Sequence, residues 1–104
     1  MITQPPSYAI APVTDKQFRG KMLQSAHHWL YRRGCTKEDA TTALKLEISF
    51  YVAASSKNRE WRGNPDVEKA IREAPENQAW IAQLIQEALE GAAAVQSQMQ
   101  VANG

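Results

Sequence analysis

Residues 36–56, TKEDATTALKLEISFYVAASS, decide the fold because they carry two periodicities that cannot both be structural. Leu44, Leu46, Ile48, Phe50 and Val52 alternate strictly, which is the pattern of a half-buried strand. On a helical wheel of about 100° per residue, however, Glu38, Thr41, Thr42, Lys45, Ser49 and Ser56 gather in one polar arc with the apolar residues opposite. A strand leaves that arc unexplained. It also needs a neighbour, and only the stretch from Tyr8 to Val13 is there to supply one. The segment therefore reads as a helix over about 37–55, capped by Thr36 with Asp39 three positions on.

Upstream, Gly34 and Cys35 form a tight elbow, with Arg32 and Arg33 suited to the negative end of a preceding helix and Gly34 to its left-handed cap. That helix covers about 14–33. Thr14 and Gln17 have the spacing of a capping box, Asp15 sits at the positive end of the helix dipole, and Phe18, Met22, Ala26 and Trp29 or Leu30 form one apolar stripe. Residues 1–13, MITQPPSYAIAPV, hold three of the five prolines and no charge. They read as an extended arm, because proline lacks a backbone donor and disfavours helix in the residue before it. Tyr8, Ile10 and Val13 are the side chains available to dock it.

Downstream, SSKNREWRGN (55–64) is a polar, basic loop. Asn64 as cap and Pro65 at the first helical position open a short helix over 65–74, with Val67, Ala70 and Ile71 inward. Pro75 ends it and opens a last helix over 75–91, whose broad apolar face is Trp80, Ile81, Leu84, Ile85, Ala88 and Leu89. Residues 92–104 either extend that helix or fray, with disorder expected near the end. The expected fold is all-α: a small bundle of three to four helices over 14–91, with an extended proline-rich N-terminal arm.

The chain has 104 residues, 43% hydrophobic and 22% charged, an ordinary globular composition. A domain of this size buries only about 60–70% of its unfolded surface and has little interior for an enclosed pocket, so function is expected on the surface. The single cysteine excludes an internal disulfide, and no apolar run of about 18 residues is present, so no membrane association and a cytoplasmic location are expected. The net charge of +1 hides a polarity: residues 1–62 carry ten Lys or Arg against five acids, and residues 63–104 two against six. Such polarity can steer a charged partner or favour head-to-tail self-association.

Among residues able to carry chemistry, His27 and His28 diverge by about 100° on a helix and lack ligands at metal spacing, so a surface pair is expected and no metal site. Cys35 reads as a small elbow residue, without the oriented base that a nucleophile requires. Glu47 is the one charge on the apolar side of its helix, and a carboxylate there requires a partner, with His27, His28 or an arginine of the first helix expected. Lys57, Arg59, Trp61 and Arg62 form the candidate contact site, because Trp and Arg dominate interface hot spots and also stack on bases and neutralise phosphates. The opposing view is that Trp61 folds back onto the core. No glycine-rich phosphate loop or nucleophile motif is present, so neither an enzyme nor a cofactor is expected.

Residues 29–50, through Leu30, Arg32, Gly34, Thr36, Lys37, Thr42, Ala43, Ile48 and Phe50, resemble part of the C-terminal helical region of the phage lambda Gam family, inhibitors of the host RecBCD nuclease. Residues 76–85 resemble that family's last helix through Glu76, Gln78, Ala82 and Ile85. The resemblance implies a small phage or prophage protein in the host cytoplasm that shields linear DNA by occupying the nuclease. From the residues alone, two alternatives stand beside it: a nucleic-acid-binding module using the basic N-terminal portion, and a homodimer through exposed parts of the last helix.

Overall fold

The computed structural model describes residue 8 and residues 10–103, and among these there is no strand. The order is α1 (Ile10–Thr14), α2 (Lys16–His27), a π-helical turn (His28–Arg32), α3 (Lys37–Ala54), a 3-10 turn (Arg59–Trp61), α4 (Pro65–Glu73), a second 3-10 turn (Pro75–Asn77) and α5 (Gln78–Asn103). The all-α expectation holds, with α2, α3, α4 and α5 as the main helices.

Capping chemistry sets the boundaries. Asp15, rather than Thr14, caps α2: its Oδ1 accepts from the backbone N–H of Gln17 at 2.9 Å and of Phe18 at 3.2 Å. A carboxylate satisfies two of the orphan donors and meets the positive end of the dipole, so it displaces the adjacent hydroxyl. Thr36 caps α3 by accepting from Asp39 N–H at 3.1 Å, and Asn64 caps α4 with Pro65 at the first position, both as the sequence implies.

Two expected features differ. Residues 10–13, read as extended, are helical within α1, where Pro12 lies in the first turn and needs no N–H partner. Pro12 is fully buried, and Tyr8 and Val13 pack against the core. The rest of the expected arm, residues 1–7 and 9, lies outside the described residues. At the other end α5 neither stops at 91 nor frays, but continues to Asn103, with Ala92 fully buried and Val95 and Gln96 half-buried.

The elbow is wider than a plain α-helical end. Arg33 N–H reaches back five residues to His28 O at 2.9 Å, Gly34 adopts φ +66°, and Cys35 N–H closes on Trp29 O at 2.9 Å. The left-handed residue turns the chain back, so α3 runs antiparallel to α2, with Ser25 opposite Glu47 and Phe18 opposite Tyr51. α5 lies alongside α2 in the parallel sense, as Arg19–Glu87, Leu23–Gly91 and His27–Gln96 come into register. The approach is close at Gly91, where an added Cβ would meet the Leu23 side chain and push its Cδ1 aside.

The core is Phe18, Met22 and Ala26 of α2, Ala40, Leu44, Ile48, Val52 and Ala53 of α3, Ile71 of α4, and the apolar face of α5 from Trp80 to Ala92. Asn77, fully buried, ties the far end together. Its Oδ1 accepts from Tyr8 Oη at 3.0 Å and Trp80 Nε1 at 2.9 Å, and its Nδ2 donates to Ile71 O at 2.9 Å. A buried amide with both ends used is a specific clamp on the junction of α4, α5 and residue 8.

Candidate functional site

The α2–α3 pair does not close over its own outer side. Between the two helices lies an open groove of about 740 Å³, with Phe18 and Met22 of α2 and Leu46, Phe50 and Ala54 of α3 supplying its apolar surface. Leu46 and Phe50 are 49% and 58% exposed. They stand one turn apart on the same face of α3, on the side away from Leu44, Ile48 and Val52. Fully burying a residue of this size contributes about 1.5–3 kcal/mol, of which this chain forgoes roughly half at each position.

Polar groups mark the groove's two ends. At one, Ser25 Oγ donates to Glu47 Oε1 at 2.6 Å. This corrects the partner expected for Glu47: a serine hydroxyl replaces a histidine or arginine, because the half-exposed carboxylate keeps enough water to need no cation. At the other end Tyr51 Oη donates to Asp15 Oδ2 at 2.9 Å, while the Tyr51 ring stacks on Phe18 with centroids 4.1 Å apart. The hydrogen bond from Tyr51, reinforced by the Phe18 N–H, holds the Asp15 carboxyl below its ordinary value. Burial, and then Asp15 itself, pushes the Tyr51 phenol above its own. Lys21 and Glu68 complete the charged rim.

The contact site proposed from sequence is arranged differently. Trp61 is half-buried, packed against the core and edge-on to Tyr8 at 5.7 Å. Lys57 and Trp61 share a cavity of about 510 Å³ with Tyr8, Pro12 and Val52, which Arg59 and Arg62 do not line. Arg62 is turned onto its own loop, donating through Nε and Nη2 to Ser56 O at 3.2 and 3.1 Å. Lys57 and Arg59 are exposed.

His27 Nε2 bonds Gln96 Oε1 at 2.9 Å, and exposed His28 stands edge-on to Trp29. Cys35 is half-buried. Among the described residues no group of three or more His, Cys, Asp or Glu could hold a metal ion, and no helix is long and apolar enough to cross a membrane.

No protein family, curated protein or solved structure matches the chain.

The site is thus defined by residues that sequence reasoning assigned to the interior. The signal was present in the strict alternation at 44, 46, 48, 50 and 52. Once that stretch is helical, positions 44, 48 and 52 fall within one arc that overlaps the arc read as polar, and 46 and 50 on the other side, so the apolar residues do not all lie opposite the polar ones as expected and two large ones leave the main core. The polar arc is also part interior: Ser49 is fully buried, donating to Leu46 O and accepting from Arg72 Nη1 at 3.0 Å as α4 packs over it.

Proposed function

We propose that the protein acts by binding another protein through the outer face of α2 and α3. The observation that carries this is the exposure of Leu46 and Phe50 above an apolar groove that nothing in the described chain covers. Contiguous apolar surface rimmed by polar groups is characteristic of protein interaction sites. The groove is too open to exclude water from a reaction, so binding fits it better than catalysis.

The resemblance to the lambda Gam family makes RecBCD the first partner to test, with the protein as a phage-encoded inhibitor. Of the residues that carry that resemblance, Leu30, Gly34, Thr36 and Ile48 are accounted for by folding, as core, elbow, cap and core. Phe50 is not, since it packs outward. The test is a titration of purified RecBCD with the protein and its Phe50→Asp variant, beside a DNA duplex at two salt concentrations. Nuclease binding that the substitution weakens at least tenfold supports the proposal, and binding indifferent to the substitution refutes it.

One observation favours a second reading, a nucleic-acid contact. Arg32, Arg33 and Lys37 are all exposed at the elbow, and Arg33 lies 5.6 Å from the Trp29 ring centre. Duplex binding that falls steeply with salt and is lost on Arg32→Ala with Lys37→Ala would establish it.

A further inference from the structure

The charges on the groove specify what kind of segment it accepts. Three carboxylates, Asp15, Glu47 and Glu68, line it against one ammonium, Lys21, although residues 1–62, which supply two of the three, are basic as a whole. Glu47 is half-buried, yet only its Oε1 is engaged, by the Ser25 hydroxyl, and Oε2 has no protein partner among the described residues. The one ion pair within 4.0 Å among the described residues is Arg19–Glu87, on the α2–α5 side. A carboxylate accepts at about four lone-pair positions, so most of the capacity of Glu47 remains for an incoming donor.

The charges are also spaced. Asp15 and Ser25 are ten residues apart on α2, about 15 Å at 1.5 Å per residue, or nearly three helical turns. Glu47 stands at the Ser25 end. α4 runs back along α3 with Arg72 at Ser49, which brings Glu68, one turn earlier, toward the Ala54 end near Asp15. Apolar surface thus occupies the middle and negative charge both ends.

We propose that the α2–α3 groove accepts an amphipathic helix of a partner protein, with apolar side chains over Met22, Leu46 and Phe50 and Lys or Arg residues about seven to ten positions apart reaching Glu47 and Glu68. This rests on the outer face of α2 and α3 being a protein contact and adds the chemistry of the partner. Two parallel-sided helices present a trough matched to a third helix, and the apolar centre supplies affinity while the carboxylates select the sign of the flanking charge.

The test uses two fluorescein-labelled helical peptides of about 18 residues with the same leucine face, one carrying lysine and the other glutamate on the polar face, titrated into the full chain by fluorescence polarisation. The lysine peptide should bind about tenfold more tightly at low salt, and the preference should shrink at least threefold in 0.5 M salt and in Glu47→Gln. Phe50→Ala should weaken the lysine peptide by about tenfold while shifting the circular dichroism melt by no more than about 5 °C. Equal binding of the two peptides, binding of neither, or a preference untouched by both Glu47→Gln and Glu68→Gln would overturn the proposal. So would a homodimer that Phe50→Asp dissociates, since a second copy would then fill the groove. Loss of RecBCD binding alongside intact lysine-peptide selectivity would remove the nuclease and not the groove chemistry. RecBCD binding that depends on Phe50, without charge selectivity, would do the reverse.

Discussion

Leu46 and Phe50 lie one turn apart on α3 and both face outward, while Leu44 and Ile48, each two residues away, are fully buried. One helix therefore builds the core with one set of apolar residues and presents another to solvent. The two sets should separate in mutagenesis. Leu44→Ala or Ile48→Ala should cost about 2–5 kcal/mol in urea unfolding through loss of buried contacts and a residual cavity. Leu46→Ala and Phe50→Ala should change stability by less than about 1 kcal/mol. A large destabilisation by Phe50→Ala would mean that it packs against the chain after all.

Asn77 is the corresponding test of the far end. Asn77→Ala strands the Trp80 indole N–H and the Ile71 carbonyl and releases the Tyr8 hydroxyl. Unsatisfied buried polar groups cost about 1–3 kcal/mol each, so a loss of about 3 kcal/mol or more is expected in urea unfolding. Tyr8→Phe, which removes one bond at a partly buried position, should cost about 1 kcal/mol.

The Asp15–Tyr51 pair predicts pH dependence on both flanks. The Asp15 carboxyl titrates below its unfolded value, so its contribution is present above pH of about 4 and is lost as pH falls through the folded value. The Tyr51 phenol titrates above its unfolded value, so its contribution is intact below pH of about 10 and is lost as pH rises through the folded value. Tyr51→Phe should therefore flatten the alkaline decline in melting temperature and reduce the acid one. Asp15→Asn should remove its share of the acid decline while keeping a capping oxygen. Unchanged profiles in Tyr51→Phe would rule out the coupling.

Gly34 turns the elbow at φ +66° with open space around it, so a side chain there meets strain and no clash. Gly34→Ala should cost about 1–2 kcal/mol, measured by thermal unfolding, with the helical circular dichroism signal retained.

The helices were legible because their boundaries rest on local chemistry. Thr36, Asn64–Pro65 and Gly34 act through neighbours within a few residues, and the sequence displays those neighbours directly. The site was less legible because it depends on which helix covers which face. Ser49 belongs to a polar arc on the wheel, and only the arrival of Arg72 from α4 buries it. Leu46 and Phe50 look like core by composition, and they are exposed because no helix among the described residues covers that side. Trp61 showed the converse: a residue type suited to interfaces, in a polar loop, but turned against Tyr8 by long-range packing. The persistence of α5 beyond Gly91 was likewise set by tertiary contact, since His27 engages Gln96 from another helix.

The most direct test of protein binding through the α2–α3 face is the affinity of purified RecBCD for the full chain and for Phe50→Asp, measured by titration at fixed salt with both proteins shown to melt alike. Saturable binding by the unsubstituted chain, at least tenfold weaker in the variant, is the predicted result. Equal affinity of the two would contradict it, and no binding by the unsubstituted chain would remove RecBCD as the partner.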